Sequence, residues 1–469
     1  MYIHSFTSPR IHLRNLNVLL QLFSLLILFG PPQISHAATI VESLPGYAGN
    51  LPFCLSTGYI GVGEEEQVQL FYCFIESERA PKTDPVLIWM TGGPGCSSLS
   101  GLMLENGPLS FSYSPASWQS EIPKLKLNPY SWTKVASMIF VDAPAGAGFS
   151  YATTAEGYYS DDITASRHIY EFLKKWLQEH AEFQNNPIYI AGDSYSGITV
   201  PLVVQEILNG NKAAIRPLMN LKGYILGNPL TSEEDVLSSR YKYAHRMSLL
   251  SDELYEETRV NCRGTYDTVD AGNTRCQKDL EAVSNALDPL YANHILEPTC
   301  NTSIPPKWCR DRDYHLFYVW ANNLKVREAL HIREGTKIHW ARCNFTQAFT
   351  QAHRRNVLSS VDYHRNFTKE PLHALIYSGD QDLYVSYVDT LAWIVKLNVS
   401  TIDRWRPWLV KGQVAGSPFQ NSSSHTYGGY TGSRTHCTRV QAPRMPTHVH
   451  KMAQHASSRL KLFPICAVC

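Results

Sequence analysis

The sequence has almost no net charge and no long run of charge of one sign. Its 42 Lys and Arg residues are balanced by 41 Asp and Glu residues, which leaves a formal charge of +1. Nucleic-acid and membrane-surface partners usually require a basic patch, and interaction tails usually carry blocks of like charge. We therefore expect no nucleic-acid partner and no membrane-surface partner, and we expect a small or neutral substrate.

Long apolar runs are missing after the first part of the chain, so no transmembrane helix is predicted there. At the start, Arg10 and Arg14 precede an apolar run over residues 16–30, and small residues follow it. This pattern is typical of a secretory signal peptide. We predict a signal peptide over residues 1–38 and a mature protein that enters the secretory pathway and is extracellular or vacuolar. The oligomeric state has no signal in the sequence.

The sequence also lacks the closely paired cysteines that hold structural zinc. Zinc is the alternative to disulfides for Cys262, Cys276, Cys300 and Cys309, but their spacings do not match that pattern. In an oxidising compartment the 11 cysteines of the chain favour disulfides instead. No metal site and no other cofactor is predicted.

Entry into the secretory pathway would also make Asn-x-Ser/Thr motifs credible glycosylation sites. The candidates are Asn301, Asn344, Asn366, Asn398 and Asn421. In a cytosolic protein the same motifs would carry no such meaning, so this prediction depends on the signal peptide.

Several short apolar runs are each followed at once by a turn rich in glycine. They span residues 86–90, 138–141, 188–191, 224–226 and 375–377. Continuous apolar runs of this length are typical of strands that are covered on both faces. Residues 162–180 carry apolar side chains at helical spacing between the second and third runs. This β-α-β order predicts an α/β fold with a mostly parallel central sheet.

The pattern changes to helix-like polar stretches over residues 231–344. This segment is predicted to be an insertion between sheet strands, and it divides the core into residues 39–230 and 345–416. Insertions at the carboxyl ends of strands commonly cover a pocket. We therefore expect a helical cap over the substrate site.

The strongest chemical signal is a Gly-x-Ser-x-Gly motif centred on Ser194. It directly follows one predicted strand and precedes a predicted helix over residues 198–207. A strained strand-turn-helix elbow of this kind exposes the serine hydroxyl, and the helix N-terminus favours developing negative charge. Ser194 is the predicted nucleophile, although an ordinary tight βα turn could have the same five residues.

Two further motifs support an acyl-transfer site. The Gly92-Gly93 pair follows an earlier strand, and the backbone N–H groups of Gly93 and Tyr195 are the candidate oxyanion donors. Asp382 ends a later strand 188 positions after Ser194 and can supply a buried carboxylate in the order Ser, Asp, His. Asp380 is close to it and can instead cap the turn.

These motifs, taken together, resemble the serine carboxypeptidase family, in family order over residues 43 to about 416. The matching segments are Trp89–Ser98, Glu105–Pro108, Asp142–Tyr151, Gly192–Pro201 and Tyr377–Asp382. The resemblance implies an α/β-hydrolase fold, with Ser194 as nucleophile and Asp382 as the triad carboxylate. It also implies the disulfides Cys96–Cys343, Cys262–Cys276 and Cys300–Cys309.

Family carboxypeptidases recognise the free carboxylate of a peptide with an Asn before the Gly-Gly pair, a Glu before the nucleophile, and the Glu of Glu-Asn-Gly-Pro. This chain keeps Glu105 but has Thr91 and Asp193 at the other two positions. Thr offers no amide donors and Asp is one methylene shorter, so a carboxylate would lose partners worth about 1 kcal/mol each. These three candidate substrate-binding residues therefore predict poor recognition of a peptide end.

The same substitutions resemble the plant branch of the family that moves acyl groups from glucose esters to alcohol or acid acceptors. Segments Leu44–Tyr47, Gly58–Gly63 and Ser77–Arg79 also resemble that branch. Both reactions pass through an acyl-enzyme on the serine and differ in whether water or an acceptor hydroxyl resolves it. Acyl transfer is the favoured function, and peptide hydrolysis is the alternative if both substitutions are neutral.

The histidine that completes the family triad is missing. Its Gly-His-x-x-Pro-Glu-Tyr-Lys-Pro motif would place it where this chain has Thr435. The adjacent His436 is not assigned this role, because a side chain one position along is expected to point in a different direction and the residues around it lack the glycine that would set the turn. The remaining histidines of this region are better interpreted as solvated tail residues. They are His425, His448, His450 and His455.

A shift of reading frame explains this tail. From the second nucleotide of the Arg434 codon, permitted codons can encode Gly-His-Thr-Val-Pro-Glu-Tyr-Lys-Pro, any residue, and then Glu-Cys. Met445-Pro446 forces the Cys and Met452-Ala453 forces a Trp, and the family has both residues at these places. We predict that residues 417–469 are an aberrant tail translated out of frame. If the tail is real, a secreted non-catalytic relative is the third possible function.

Overall fold

The computed structural model describes residues 38–112, 122–266, 268–300, 309–333, 339–410, 413–421 and 425–430. The predicted signal peptide, apart from Ala38, lies outside these residues, as does the chain after Tyr430. The strands are β1 Thr39–Ile40, β2 Leu55–Val62, β3 Val68–Ile75, β4 Val86–Met90, β5 Leu109–Phe111, β6 Leu125–Leu127, β7 Ser137–Val141, β8 Tyr151–Ala152, β9 Ser160–Asp161, β10 Ile188–Asp193, β11 Leu221–Gly227, β12 His353–Arg354, β13 His373–Gly379, β14 Thr401–Asp403, β15 Trp408–Val410, β16 Gln413–Asn421 and β17 His425–Tyr430.

The α-helices of the described ranges alternate with these strands and also fill the predicted insertion. They are α1 Asp162–Glu179, α2 Ser196–Lys212, α3 Glu233–Arg246, α4 Asp252–Asn261, α5 Thr274–Leu287, α6 Asp311–Asn322, α7 Leu324–Ala329, α8 Gln347–Ala352, α9 Val361–Phe367 and α10 Tyr387–Lys396. Among the described residues, no helix is both long and apolar enough to cross a lipid bilayer.

One large sheet contains most of the described strands, in the order β1-β2-β3-β7-β4-β10-β11-β13-β17-β16-β14. In the middle of this order, the neighbouring pairs β7-β4, β4-β10, β10-β11, β11-β13 and β13-β17 are all parallel. The strands on both flanks are antiparallel. Strands β4, β7 and β10 are buried along their whole length, as expected for continuous apolar runs covered on both faces. The predicted mostly parallel central sheet is confirmed.

Helix α1 shows how the sequence covers one face of this sheet. It begins where the Asp161 side chain accepts a hydrogen bond from the Thr164 N–H at 2.8 Å, which satisfies one of the free donors of the first turn. Ile169, Phe172 and Trp176, spaced by three and four residues, are buried against the sheet strands. Burial of such side chains contributes about 2 kcal/mol each.

The predicted insertion over residues 231–344 is helical in its described part, because α3 to α7 all lie within it. Part of it packs on the opposite face of the sheet from α1: Phe317, Trp320 and Trp340 belong to the same apolar cluster as Trp89 of β4. The predicted cap role of the insertion stays a prediction.

The three disulfides implied by the family resemblance are present. Cys96 is bonded to Cys343, Cys262 to Cys276, and Cys300 to Cys309. The first bond joins the loop after β4 to the end of the insertion across 247 positions of sequence. It therefore attaches the predicted oxyanion loop to a distant part of the chain.

The sheet continues into the predicted tail. Strand β16 runs past Gly416, and β17 lies beyond it and pairs with β13 in parallel. Phe419 of β16 stacks on Tyr427 of β17 with ring centroids 4.9 Å apart. The sequence interpretation did not identify either strand, because strand pairing is made by backbone groups and tolerates many side-chain sequences.

Candidate active site

Three loops that carry the predicted site leave the sheet at the same edge. Strands β4, β10, β11 and β13 are parallel, and their registers pair Met90 with Gly192, Asp193 with Gly227, and Gly227 with Tyr377. Because parallel strands end at a common edge, the residues that follow them lie side by side. The sheet thus brings together the loops that begin at residues 91, 194 and 380.

The predicted nucleophile, Ser194, lies in the turn between β10 and α2. Its φ angle is +58°, an uncommon backbone conformation for a residue with a side chain. A Cβ on Gly192 would lie 2.4 Å from the Met90 carbonyl oxygen, and one on Gly197 would lie 2.3 Å from that of Leu230. The two glycines are therefore required by close packing, and the predicted strand-turn-helix elbow is confirmed.

The glycine loop after β4 touches this elbow. A Cβ on Gly92 would lie 2.7 Å from the Ser194 Cβ and 2.6 Å from the Tyr195 backbone nitrogen. The next residue, Gly93, has a φ angle of +121°, which a side chain would strain. Backbone therefore approaches the serine at a distance that only glycine permits, and Gly93 and Tyr195 remain the predicted oxyanion donors.

A buried carboxylate behind this loop was missed in the sequence. Asp142 accepts hydrogen bonds from the Ser97 hydroxyl at 2.8 Å, the Ser98 N–H at 2.8 Å and the Phe149 N–H at 2.9 Å. Burial raises the pKa of Asp142 to about 6, although these hydrogen bonds oppose the shift. Asp142 begins one of the motifs that resemble the family, so its position was visible in the sequence, but its partners were not.

The three candidate substrate-binding residues differ in their surroundings. The Thr91 hydroxyl accepts a hydrogen bond from the Trp89 indole N–H at 3.3 Å, and the Asp193 carboxylate accepts one from the Gly92 N–H at 3.2 Å. Both residues are buried. Glu105 ends a π-helical turn and is half-buried. Thr91 thus bonds to a side chain of β4, and Asp193 bonds to the backbone of the glycine loop.

Asp382 has the surroundings expected of a triad carboxylate. It is fully buried, and one of its oxygens accepts hydrogen bonds from the Tyr384 N–H at 2.8 Å and the Val385 N–H at 3.0 Å. Asp380 is half-buried, and its carboxylate accepts a hydrogen bond from the Gln381 side chain at 3.0 Å. Of the two candidates, Asp382 is therefore the better-held carboxylate.

Asn228, which directly follows β11, holds the Asp382 loop and is a second residue that the sequence did not reveal. Its amide donates to the Val385 carbonyl oxygen at 3.0 Å and the Ser378 hydroxyl at 3.2 Å, and its side-chain oxygen accepts from the Gly379 N–H at 3.0 Å. Asn228 is fully buried and has a φ angle of +40°. The Gly-Asn-Pro turn was visible in the sequence, but nothing there indicated these partners.

The last described strand leads toward the place where a base would be needed. In the parallel pair β13 and β17, Tyr430 lies opposite Gly379, close to the loop that carries Asp382. His425 lies opposite Ala374 at the other end of β13, so its backbone is about 17 Å from that loop at 3.3 Å per residue. Thr435 and the other tail histidines lie outside the described residues.

The predicted glycosylation sites are not alike. Asn366 and Asn398 are exposed. The Asn344 amide instead donates to the Gly146 carbonyl oxygen at 2.9 Å, and its side-chain oxygen accepts from the Thr346 hydroxyl at 2.8 Å. Asn301 and the side chain of Asn421 lie outside the described residues.

One group in the described residues has metal-like spacing: Cys300, Cys309 and Asp311. The two cysteines are bonded to each other, however, and a disulfide offers no thiolate to a metal ion. This group therefore does not fit a zinc site.

Comparison with known proteins identifies the family. The family described as "Serine carboxypeptidase" matches residues 45–435. The chain belongs to the serine carboxypeptidase family. It is 47% identical over 403 residues to serine carboxypeptidase-like 10 of Arabidopsis thaliana, which covers 84% of this chain and 91% of that protein. Serine carboxypeptidase-like 1 of the same plant is 46% identical over 424 residues, covering 89% and 93%.

A solved relative confirms the α/β-hydrolase fold of this serine carboxypeptidase-like chain. Kex1Δp, a prohormone-processing carboxypeptidase from Saccharomyces cerevisiae, superposes with a TM-score of 0.67 at 20% sequence identity. The superposition covers 82% of this chain and 88% of the yeast chain. At this identity the likeness establishes the fold alone.

Proposed function

We propose that Ser194 forms an acyl-enzyme and that the acyl group passes from a glucose ester to the hydroxyl of an acceptor. The observation that supports this proposal is the hydrogen bonding of Thr91 and Asp193. Both occupy positions at which family carboxypeptidases read a peptide carboxylate, and both already bond to neighbouring protein groups. Thr91 has a single hydroxyl hydrogen to donate where an asparagine would offer two, and the shorter Asp193 side chain accepts from the Gly92 N–H. A peptide carboxylate would therefore find fewer donors here, whereas an ester carbonyl needs only the serine and the oxyanion donors.

The proposed reaction has two half-reactions at one serine. The Ser194 oxygen attacks the ester carbonyl, the tetrahedral oxygen accepts hydrogen bonds from the N–H groups of Gly93 and Tyr195, and glucose leaves with a proton. The acceptor hydroxyl then attacks the acyl-enzyme and releases the serine. Both steps need a base to move a proton, and Asp382 is the carboxylate that would orient it.

The primary experiment measures whether Ser194 is reactive. The full chain is treated with a fluorophosphonate probe beside Ser194→Ala, and a glucose ester is then offered with and without an alcohol acceptor. We expect labelling that disappears in Ser194→Ala, and more acyl transfer than hydrolysis. Faster cleavage of a blocked dipeptide than of the glucose ester would overturn the assignment in favour of the peptidase alternative.

A sharper version changes the two carboxylate-reading positions. The double variant Thr91→Asn and Asp193→Glu restores the amide donors and the longer acid of family carboxypeptidases. Two hydrogen bonds of about 1 kcal/mol each predict a rise of about tenfold to thirtyfold in dipeptide cleavage relative to ester cleavage. An unchanged ratio would show that these positions do not decide the substrate.

A non-catalytic role is the second candidate, favoured by Thr435 at the position of the family base. In that case the chain binds an acyl ester or a protein partner without turnover. Complete absence of probe labelling, together with saturable binding of the glucose ester by calorimetry, would support this role. Sequencing the transcript across the codons for residues 416 to 452 decides whether the printed tail is the one the cell makes.

A further inference from the structure

Asp162, the first residue of α1, is a buried carboxylate for which the proposed reaction has no role. Its side chain is only 1% exposed, and it lines a cavity behind the glycine loop together with Thr91, Gly92 and Tyr195. An acid so fully buried must be paired or hydrogen-bonded, because an isolated charge would be costly there. Its partners therefore indicate what it does.

Three hydrogen bonds end on this carboxylate. One oxygen accepts from the Tyr195 hydroxyl at 2.9 Å, and the other accepts from the backbone N–H groups of Asn356 at 2.8 Å and Val357 at 3.0 Å. The His353 ring nitrogen Nε2 lies 3.4 Å from the first oxygen, and its side chain is 3% exposed. Burial raises the pKa of Asp162, but the contacts with His353, Val357 and Tyr195 outweigh it and hold the pKa below its ordinary value.

Tyr195 is the residue that connects this carboxylate to the elbow. It directly follows Ser194, and its backbone nitrogen would lie 2.6 Å from a Cβ on Gly92, so this nitrogen lies next to the glycine loop. Its ring is held at a second point, because the Arg355 guanidinium lies 5.1 Å from the ring centroid. The hydrogen bond to Asp162 and the contact with Arg355 together restrict rotation of the Tyr195 side chain.

The segment after the insertion closes this arrangement. Strand β12 pairs with β9, the strand that ends just before Asp162, with His353 opposite Ser160. Further along, the Ser360 hydroxyl donates to the Gly197 carbonyl oxygen at 2.6 Å. The chain from residue 353 to 360 therefore contacts the elbow at Gly197 and, through Asp162, at Tyr195.

We propose that Asp162 is a positioning residue for the oxyanion site, acting through the Tyr195 hydroxyl to hold the Tyr195 backbone N–H toward the reacting oxygen. The inference rests on the proposed role of Ser194 as nucleophile and adds a residue that never touches the substrate. Asp162 joins three chain segments that are far apart in sequence: the start of α1, the elbow, and the segment from residue 353 to 360.

The test uses Tyr195→Phe, which removes only the hydroxyl, and Asp162→Asn. The matched control is Asp161→Asn, one position earlier, because asparagine caps a helix as well as aspartate does. The Tyr195 hydroxyl donates to Asp162, whereas Asp161 bonds to the Thr164 N–H and, at 3.5 Å, to the exposed Arg354 side chain, so the control also reports any effect of the Arg354 contact. Fluorophosphonate labelling is followed as the maximal rate of inactivation and the probe concentration at half that rate. We expect the maximal rate to fall about tenfold in both test variants and the half-saturating concentration to stay unchanged.

The double variant Tyr195→Phe with Asp162→Asn should react no more slowly than the slower single variant, because the Tyr195 hydroxyl and the Asp162 carboxylate act through the one bond between them, which either change removes or weakens. Additive losses, or an equal loss in Asp161→Asn, would overturn the proposal. A loss confined to the half-saturating concentration would also overturn it, since that outcome indicates a binding role.

Hydrogen exchange of the full chain gives a second readout that does not depend on labelling. We expect faster amide exchange in Tyr195→Phe over residues 194–197 and 353–360, with exchange in β4 and β11 unchanged. Unchanged exchange at the elbow, or faster exchange throughout the sheet, would overturn the proposal. If the unmodified chain is not labelled at all, the proposed function fails while hydrogen exchange still decides the role of Asp162.

Discussion

The candidate site has two sides, and they are built differently. On the side of β4, the glycine loop touches the elbow, Asp142 holds the loop from behind, and a disulfide attaches it to residue 343. On the side of β13, Asn228 and two backbone N–H groups hold the Asp382 loop in place. That side still requires a base, and Thr435 stands at its family position.

This difference has a chemical origin. The proposed oxyanion side would use backbone N–H groups, which every residue except proline supplies, so it depends on small residues and close packing. The base side depends on one imidazole, which no backbone group can replace. A change of reading frame in the tail can therefore leave the first side and the Asp382 loop intact while it removes the base of the second side.

The largest effect should come from restoring the base side. Within the predicted out-of-frame tail 417–469, residues 434–469, for which the shifted codons restore the family motif, are replaced by the sequence that the shifted frame encodes, which places a histidine at about position 435. Because loss of one triad member commonly costs three or more orders of magnitude, we expect Ser194 labelling to become about a thousandfold faster or more. Labelling rates of the two chains are compared, each beside its own Ser194→Ala control.

Equal labelling of the printed and the restored chain would contradict the frame hypothesis. It would mean either that another residue serves as base or that position 435 has no part in activating the serine. The melting temperature of the restored chain is a useful companion measurement, because we expect an ordered tail to raise it by covering one face of the sheet.

The next effect tests how firmly the Asp382 side is held. Asn228→Ala removes the side-chain bonds to Val385, Ser378 and Gly379 and leaves buried groups without partners. It also places alanine at a φ angle of +40°. We expect the free energy of unfolding to fall by about 4 kcal/mol in urea denaturation.

Asn220→Ala is the matched control, since Asn220 makes an exposed hydrogen bond to the Asn185 carbonyl oxygen and should cost less than about 1 kcal/mol. Similar losses of unfolding free energy in both variants would show that the hydrogen bonds of Asn228 stabilise the fold no more than those of an exposed asparagine. That result would contradict the inference that Asn228 holds the Asp382 loop in one conformation.

The smallest effect is on the oxyanion side and depends on pH. The pKa of Asp142 in the folded protein, about 6, lies above the ordinary aspartate value, so the fold favours the protonated form. The contribution of Asp142 to the free energy of unfolding is therefore greatest at about pH 4 and declines by about 3 kcal/mol as the pH rises past 6. Denaturation of the unmodified chain and of Asp142→Asn between pH 4 and pH 7 measures this change.

Asp142→Asn has no such titration, so its stability cost relative to the unmodified chain should be larger at pH 4 than at pH 7. Parallel stability curves for the two proteins would rule out a raised pKa at this position. The comparison of the two sides would then lose its clearest sign that the oxyanion loop depends on a buried acid.

Local signals explain why so much of the site was predictable. The runs at residues 86–90 and 188–191 became β4 and β10, because a short apolar run that ends in glycine has few other structures available. The elbow was predicted from the two glycines that flank Ser194, and in the structure the packing at Gly192 and Gly197 leaves no room for a side chain. The disulfides followed from resemblance alone, since spacing does not decide connectivity.

Asp142, Asp162 and Asn228 were not predictable in the same way. Each is a polar residue in a loop or at a helix start, and its partners lie up to 195 positions away, as Val357 does from Asp162. A polar residue is usually exposed, so only the folded structure distinguishes these three from the others. Strands β16 and β17 were missed because their pairing depends on the neighbouring strand rather than on their own composition.

The sequence by itself determined the chemistry that each of three short segments can carry: a serine in a glycine-flanked elbow, a glycine loop, and an aspartate at the end of a later strand. It also determined that threonine stands where the family has its base. Only the tertiary structure decided that the three loops meet at one edge of the sheet, and that Asp162 contacts the residue after Ser194. The physical reason is that covalent spacing limits local conformation, whereas contacts between distant polar groups form only when the sheet has aligned their strands.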